Sequence, residues 1–458
     1  MEREEAIRKL QESVGEENVL FSDVDLTLYG YDASLEKGRA DAVVLPGSTD
    51  QVSLVVRLAY QEGIPIIARG SGTNLSGGTV PVRGGIVLHF SRMNKILEVD
   101  IPNRTVTVEP GVITLDLQTM LLKQGFLYAP DPASQKVSTL GGNVGENSGG
   151  PHCLKYGVTT NHVLGAEVVL YDGTVTWIGG KNPDNPGYDL MGLIVGSEGT
   201  LAIATKIILR IIRAPEAIKT MLAIYDSIED ASNTVSAIIA EGIVPATLEM
   251  MDHVVMEAVE KSVQAGYPLD AAAVLIIELD GLKDGLDRQA AKVLEICKRH
   301  NVREIQLARD EAERARLWAG RKGAFGAVTR LRPCYMVCDG TVPRTKLPEV
   351  LNQVMEVGKK YGLLIGNVFH AGDGNLHPLI LFDERDEAEK NTAMKAASEI
   401  LKICADAGGT ISGEHGIGIE KLREMNFIFT EDDLETMRKI KRAMDPKDVL
   451  NPGKVIPN

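Results

Sequence analysis

The spacing of apolar residues in the first part of the chain predicts a β-α-β unit. Residues 42–46 are a short apolar run that ends in proline, as a strand does when it enters a turn. From residue 50 to residue 62 the apolar positions recur with helical spacing, and residues 64–67 follow as a second strand. Further short strands are predicted over 85–90, 96–100 and 105–109, and a helix over 114–125.

Three stretches rich in glycine and small polar residues interrupt this pattern, at 68–78, 129–151 and 193–203. The first directly follows a predicted strand, and its glycines would let backbone N–H groups approach a pyrophosphate closely. One such loop is more often an ordinary turn. The second stretch is predicted to be irregular, and the strands on both sides favour a functional loop over a disordered one.

From residue 215 onwards, predicted strands and helices alternate with short connections. The strands are expected over 220–225, 246–251, 273–280 and 304–308, and the helices over 228–241, 286–300 and 310–330. This order favours an α+β domain whose helices cover one face of a mostly antiparallel sheet, with parallel βαβ units as the alternative. Near the C-terminus we expect helices over 391–407 and from residue 419.

Three residues in the second half of the chain, His370, His377 and Glu414, form a candidate metal site. His370 and His377 bracket a glycine-rich turn between predicted strands, and Glu414 and His415 stand on another turn. A lone histidine would be better explained by a hydrogen bond in the core. Two imidazoles and a carboxylate instead suit Zn²⁺, Mn²⁺ or Fe²⁺ with open coordination positions. Taken alone, such a site would equally fit a metal-dependent hydrolase or a non-haem iron oxygenase.

Composition narrows the possible partners. The 458 residues carry a net charge of -14, which argues against nucleic acid or an anionic membrane as the main partner. A charged amphipathic helix is expected at Met1 instead of a signal peptide, and no apolar run is long enough for a membrane span, so a cytoplasmic protein is expected. Five scattered cysteines fit neither a disulfide framework nor an iron–sulfur cluster. Any electrons that the protein handles would therefore be passed to a partner.

The three glycine-rich stretches read RGSGTN from Arg69, GGNVGENSGG from Gly141 and VGSEGTL from Val195. Together they resemble the FAD-binding domain of the vanillyl-alcohol oxidase/p-cresol methylhydroxylase flavoprotein family, and within it the FAD-linked glycolate oxidase subunits and the D-lactate and other D-2-hydroxy-acid dehydrogenases. The resemblance implies an α+β fold with a two-part FAD-binding domain over 39–214 and a substrate cap over 215–410. A helical segment over 1–38 would precede them, and one over 411–458 would return to the FAD domain.

The same resemblance implies which residues hold FAD. Thr73 and Asn74 stand where some members carry a covalently linked histidine, so non-covalent FAD is expected. Asn451 belongs to the closing motif, whose asparagine lies near the flavin in the family. The implied FAD-binding residues are Arg69, Gly70, Ser71, Gly72, Thr73, Asn74, Gly78, Pro130, Ser138, Thr139, Gly141, Gly142, Asn143, Asn147, Ser148, Gly149, Gly196, Glu198, Gly199, Ile203 and Asn451.

The implied reaction is oxidation of a small 2-hydroxy acid, D-lactate or glycolate, to the 2-keto acid. Arg321 would pair with the substrate carboxylate, and His415 would accept the hydroxyl proton. Phe325 and Leu379 stand where 2-hydroxyglutarate enzymes carry polar anchors, which favours a smaller substrate. The electron acceptor would be an iron–sulfur subunit, an electron-transferring flavoprotein or a quinone, and the partner could hold the protein at a membrane surface. The alternatives are a D-2-hydroxyglutarate dehydrogenase and a transferase of the alkyl-dihydroxyacetonephosphate synthase type.

Overall fold

The computed structural model describes residues 3–182 and 186–457, so Met1 and Glu2 of the expected N-terminal helix lie outside the described residues. The chain divides into two compact units. The first unit contains the chain up to Gly149, Gly157–Ala214 and the stretch from Glu414 onwards. The second contains Gly150–Tyr156 and Pro215–Gly413. No helix among the described residues is both long and apolar enough to cross a membrane.

The helices of the described residues are spread over both units. In chain order they are α1 (Arg3–Val14), α2 (Asp23–Leu28), α3 (Thr49–Glu62), α4 (Thr114–Leu122), α5 (Leu140–Glu146), α6 (Cys153–Tyr156), α7 (Met191–Ile194), α8 (Ile228–Ala240), α9 (His253–Glu260), α10 (Lys283–Arg299), α11 (Glu311–Val328), α12 (Leu347–Tyr361), α13 (Glu387–Asp406) and α14 (Glu431–Met444).

The first unit contains a four-stranded sheet in the order β1-β2-β4-β3, a five-stranded sheet in the order β5-β6-β10-β8-β9, and a β7-β11 pair. Its strands are β1 (Val19–Leu20), β2 (Ala42–Val44), β3 (Ile66–Arg69), β4 (Ile86–His89), β5 (Ile96–Asp100), β6 (Thr105–Val108), β7 (Phe126–Leu127), β8 (Val163–Val169), β9 (Val175–Gly179), β10 (Ile203–Arg210) and β11 (Ile212–Arg213).

The expected β-α-β unit is present as β2, α3 and β3. Both strands pair in parallel with β4, which lies between them. Ser48 caps α3 by accepting a hydrogen bond from the backbone of Gln51, and Gly63 ends the helix with a φ of 69°. The apolar face of α3 packs with the sheet in one buried cluster. The apolar residues that recur with helical spacing in the sequence are therefore the ones that face the core.

The expectation of an irregular segment throughout 129–151 is wrong, because residues 140–146 form α5. Three of its seven residues are glycines, so its helix propensity is poor. The side chain of Thr139 caps the first turn by accepting from Gly142 N at 3.2 Å. Leu140 and Val144 are buried in the core of the unit, and this packing outweighs the poor propensity.

The C-terminal stretch is part of the first unit. Leu450 forms a parallel bridge with Ile66 of β3, and Asn451 N donates to Ile66 O at 2.7 Å. The expectation of a helix from residue 419 is wrong, because this segment forms turns followed by a short 3-10 helix over Glu424–Phe427. The regular helix of the stretch is α14, which begins only at Glu431.

The second unit is built on a nine-stranded sheet in the order β15-β12-β14-β13-β18-β19-β17, with β20 joining β18 to β16. Its pairings are antiparallel, which confirms the expected antiparallel sheet. The strands are β12 (Ala217–Tyr225), β13 (Thr247–Asp252), β14 (Ala273–Gly281), β15 (Glu304–Leu307), β16 (Cys334–Val337), β17 (Gly340–Thr341), β18 (Leu364–His370), β19 (Asn375–Leu376) and β20 (Pro378–Phe382).

Helices α9 and α11 pack with this sheet in one buried core. The core includes Trp318 of α11, whose indole nitrogen donates to Glu278 of β14 at 2.9 Å. Glu278 also accepts from Arg314, one turn earlier on α11. These bonds fix α11 against β14 and so set the position of the next residues along the helix, including Arg321.

Candidate functional site

A pocket in the first unit collects residues from all three glycine-rich stretches. It is a partly open cleft of about 630 Å³, counted with the solvent at its mouth, between the end of β3, helix α5 and the start of β10. Nine of the residues expected to bind FAD line it, namely Arg69, Gly70, Gly78, Thr139, Gly141, Gly142, Glu198, Gly199 and Ile203.

The other residues expected to bind FAD lie outside the lining of this pocket, and several of them hold its walls. Asn143 Nδ2 donates to Thr114 Oγ1 at 2.9 Å, and Asn451 Nδ2 donates to the carbonyls of Gly78 and Glu198 at 2.8 and 2.6 Å. The residues outside the lining are Ser71, Gly72, Thr73, Asn74, Pro130, Ser138, Asn143, Asn147, Ser148, Gly149, Gly196 and Asn451.

Two glycines of α5 leave space on the pocket side. A Cβ built on Gly142 would meet only Thr139 Oγ1, at 3.2 Å, and one on Gly145 would meet only Glu198 Cα, at 4.0 Å. Neither glycine has a positive φ, so the backbone does not require glycine at either position. Their absent side chains instead allow a ligand to reach the helix backbone. The pocket therefore fits an extended cofactor that contacts main-chain N–H groups.

The second unit places the two predicted histidine ligands together. His370 ends β18, His377 directly precedes β20, and β18 pairs with β20 as the expected hairpin. The two imidazole rings are 5.1 Å apart between centroids and nearly perpendicular, at 82°. Both side chains are buried. The hairpin thus presents two ring nitrogens to one place, which is the donor pair that a divalent metal needs.

Glu249, a residue that the sequence analysis missed, orients the first of these histidines. Its Oε1 lies 2.8 Å from Nδ1 of His370, and β13 and β18 pair these two residues directly. A metal bound at His370 would therefore be bound through Nε2, because Nδ1 is bonded to Glu249. A carboxylate that accepts from the second ring nitrogen is the usual support for a metal-binding histidine.

Arg321 binds the same carboxylate. Its Nε and Nη2 each lie 2.7 Å from Oε2 of Glu249. Burial alone would raise the pKa of Glu249, but the charges of His370 and Arg321 outweigh burial and hold this pKa below its ordinary value. Both partners are almost fully buried. The arginine expected to contact substrate is therefore first a structural partner of Glu249.

Asp339 stands beside the second histidine. Its Oδ1 lies 3.4 Å from Nε2 of His377, and its Oδ2 accepts from Ser412 Oγ at 2.7 Å and from Gly413 N at 3.1 Å. Asp339 is fully buried. It fixes the last residues of the second unit, directly before Glu414 in the chain.

Glu414 and His415 begin the last stretch of the first unit. Within that stretch, Oε1 of Glu414 lies 3.7 Å from Nε2 of His415.

In the second unit, the ring of Phe325 lies 6.3 Å from the ring of His377, and Leu379 follows on β20 with no exposed surface. Phe325 and Leu379 thus place apolar side chains beside His377 and on β20, next to the polar partners of the two histidines.

Comparisons with known proteins identify the family of each half of the chain. Residues 40–179 match the family described as FAD binding domain, and residues 214–455 match the family described as FAD linked oxidases, C-terminal domain. The chain is 42% identical to the glycolate oxidase subunit GlcD of Escherichia coli K12, over 100% of this chain and 92% of the relative. It is 43% identical to the same subunit of Bacillus subtilis, over 96% and 94%.

Two further matches are more distant. A D-lactate dehydrogenase of Anaerostipes hadrus is 32% identical, over 96% of this chain and 94% of the relative. Among solved structures, p-cresol methylhydroxylase with substrate bound superposes with a TM-score of 0.83 at 19% identity, over 99% of this chain and 96% of the other. That likeness confirms the expected fold. The chain therefore belongs to the family of FAD-linked oxidases, among the hydroxy-acid oxidoreductases that include these glycolate oxidase subunits and D-lactate dehydrogenases.

Proposed function

We propose that this protein oxidises a small 2-hydroxy acid, glycolate or D-lactate, to the 2-keto acid. The observation that carries the proposal is the buried histidine pair of the β18–β20 hairpin, with His370 oriented by Glu249. Relatives named glycolate oxidase subunit and D-lactate dehydrogenase match over almost their whole length. FAD, when bound, supplies the oxidant for the substrate C–H bond.

The proposed metal ligands are His370, His377 and Glu414. Gly413, directly before Glu414, is bonded to Asp339, and Asp339 lies beside His377. The set of two imidazoles and a carboxylate fits Zn²⁺, Mn²⁺ or Fe²⁺. A metal bound there would act as a Lewis acid towards the substrate hydroxyl.

In this proposal, His415 accepts the proton of the substrate hydroxyl. A neutral imidazole can act as a general base towards a hydroxyl group within hydrogen-bond distance. His415 follows the proposed ligand Glu414, and no role as a metal ligand is assigned to it. Arg321 keeps Nε and Nη2 on Glu249, so Nη1 is the group that it would offer to the substrate carboxylate. The apolar side chains of Phe325 and Leu379 would limit the substrate to a short one.

We propose further that electrons leave the flavin through a partner. The five cysteines form no disulfide with one another and are not grouped as the ligands of an iron–sulfur cluster would be, and two relatives are named as subunits. An iron–sulfur subunit, an electron-transferring flavoprotein and a quinone are the candidate acceptors. Comparing the rate of flavin reoxidation by each acceptor under anaerobic conditions would identify the class.

The decisive experiment is anaerobic mixing of the FAD-loaded protein with glycolate, D-lactate, L-lactate or D-2-hydroxyglutarate. Loss of flavin absorbance with glycolate or D-lactate is the expected result. Faster bleaching by D-2-hydroxyglutarate would replace the proposed substrate with the larger acid. If none of the four acids bleaches the flavin, the hydroxy-acid proposal is wrong.

A further inference from the structure

Two glutamates lie side by side in the wall of the FAD pocket of the first unit. A Cβ built on Gly78 would lie 2.8 Å from Oε1 of Glu146 and 3.0 Å from Oε2 of Glu198. One built on Gly416 would lie 2.5 Å from Oε2 of Glu146 and 2.7 Å from Oε1 of Glu198. Since each of these two positions is close to both carboxyl groups, the carboxyl groups are neighbours. Both residues line the pocket.

The hydrogen bonds of this pair are incomplete. Oε1 of Glu198 accepts from the backbone of Ile417 at 2.8 Å and of Gly418 at 3.0 Å. Among the described residues, Oε2 of Glu198 and Oε2 of Glu146 are buried and have no hydrogen-bond partner. Glu198 is only 7% exposed. A buried acceptor without a partner is destabilising, and a proton held by the pair would convert one of the two groups into a donor.

The neighbouring charges do not remove the need for this proton. Nζ of Lys454 donates to Asn451 Oδ1 and to the carbonyls of Gly78 and Val80, which uses its three hydrogens. Nζ of Lys421 donates to the carbonyl of Gly416 at 3.1 Å. These two lysines lower the pKa of Glu146, whereas Asp32 and Glu198 raise it.

Burial is the largest cause and raises the pKa of both glutamates, that of Glu146 to well above its ordinary value. Two adjacent buried carboxyl groups cannot both ionise without strong repulsion. Burial and mutual repulsion therefore both oppose loss of the last proton from the pair. A fully ionised pair would also repel the pyrophosphate of a dinucleotide in the same pocket.

We propose that Glu146 and Glu198 together hold a single proton, carried by one of the two carboxyl groups, and that this carboxyl pair is a binding determinant for FAD, to which the protonated group donates a hydrogen bond. The proposal rests on FAD binding and does not depend on the substrate or the metal proposed above. It assigns a role to Glu146, which belongs to the GGNVGENSGG stretch but is not among the residues that the resemblance implies for FAD binding.

The first test is a titration of the apo-protein with FAD, followed by flavin fluorescence, for wild type, Glu146→Gln and Glu146→Ala. Glutamine is neutral and can donate, so its Kd is expected to stay within about threefold of the wild-type value, whereas alanine should weaken binding about tenfold. Raising the pH should weaken binding to the wild type, because the pair loses its proton, and should leave the Glu146→Gln variant unaffected.

The second test observes the proton directly. An infrared spectrum of the wild type in D2O should show the C=O stretch of a protonated carboxyl group at neutral pH, and Glu146→Gln or Glu198→Gln should remove it. The Glu198→Gln variant keeps the test available if Glu146→Ala fails to fold. Wild-type affinity for FAD in Glu146→Ala at every pH, or a wild-type spectrum without this band, would overturn the proposal. Failure of the wild type to bind FAD would instead contradict the proposed function.

Discussion

Oε1 of Glu249 lies 2.8 Å from Nδ1 of His370, although the two residues are 121 positions apart in the chain. The other oxygen of the same carboxylate is bonded to Arg321. One buried carboxylate thus orients a proposed metal ligand and neutralises a buried cation. This shared partner links the stability of the second unit to the geometry of the hairpin.

Replacing Glu249 by glutamine should weaken metal binding about 10- to 100-fold, because an amide supports the imidazole less strongly than a carboxylate. The measurement is the Kd for Zn²⁺ and Mn²⁺ by calorimetry on purified protein. Glu257→Gln on the nearby helix α9 is the matched control, since Glu257 is exposed and pairs with Lys261 at the surface. Equal metal affinity in Glu249→Gln and the control would contradict the proposed ligand role of His370.

Replacing Arg321 by methionine should lower the free energy of unfolding by about 3–5 kcal/mol, because it removes the cation that pairs with the buried Oε2 of Glu249. Combining it with Glu249→Gln should recover most of this loss. Urea unfolding of the wild type, both single variants and the double variant gives the coupling energy. Independent, additive effects of the two substitutions would show that the ion pair is not a unit.

The parts of the fold that follow from local periodicity were predicted from the sequence. The β-α-β unit and the β18–β20 hairpin are examples, because the spacing of apolar residues and a glycine-rich turn specify each of them. Helix α5 was missed because its glycine-rich sequence opposes helix formation, and the capping and burial that stabilise it involve tertiary contacts.

In the candidate site, too, the residues that come together only through tertiary contacts were missed. His370 and His377 are close in the chain, so their spacing alone indicated a shared site. Glu249 and Asp339 are distant in sequence, and strand pairing brings Glu249 to His370. One signal was available for Glu249: it is an acidic residue within a strand that is otherwise largely apolar, where a buried charge requires a partner.

Replacing His415 by asparagine should abolish flavin reduction by the substrate while FAD remains bound, because the proposed proton acceptor is removed. Anaerobic stopped-flow absorbance measures the reduction rate, and the flavin content of the purified variant measures cofactor binding. His253→Asn is a matched control, since His253 begins α9 and has no proposed role. Reduction of the His415→Asn variant at the wild-type rate would remove the assigned role.

Replacing Gly145 by alanine should weaken FAD binding without destabilising the apo-protein. The new Cβ would meet only Glu198 Cα, and alanine in place of a helical glycine stabilises by about 0.5–1 kcal/mol. Valine at the same position should weaken FAD binding further. Thermal unfolding of the apo-protein and FAD titration measure the two effects separately.

Gly285→Ala is the control for this change. Gly285 lies in α10, and a Cβ built there would meet no atom within 4 Å. This variant should gain a similar stability and keep wild-type FAD affinity. If Gly145→Val binds FAD as tightly as the control, α5 does not contact the cofactor.

Asp252 should make the stability of the protein fall as pH rises from about 4 to about 6. Burial raises the pKa of this carboxyl to about 6, although Asn367 and the backbone of Val255 donate hydrogen bonds to it. Between the ordinary pKa and this value, the folded protein holds a proton that the unfolded chain has lost. The stabilisation is therefore complete below pH 4, declines by up to about 3 kcal/mol and is gone above pH 6.

The Asp252→Asn variant isolates this group, because asparagine does not titrate. The wild-type free energy of unfolding minus that of the variant should fall between pH 4 and pH 6 and stay constant from pH 6 to pH 8. Urea unfolding at closely spaced pH values measures this difference, in which contributions from other titrating groups cancel when they are common to both proteins. A difference that rises across the same interval would mean that hydrogen bonds to the ionised carboxylate outweigh its burial.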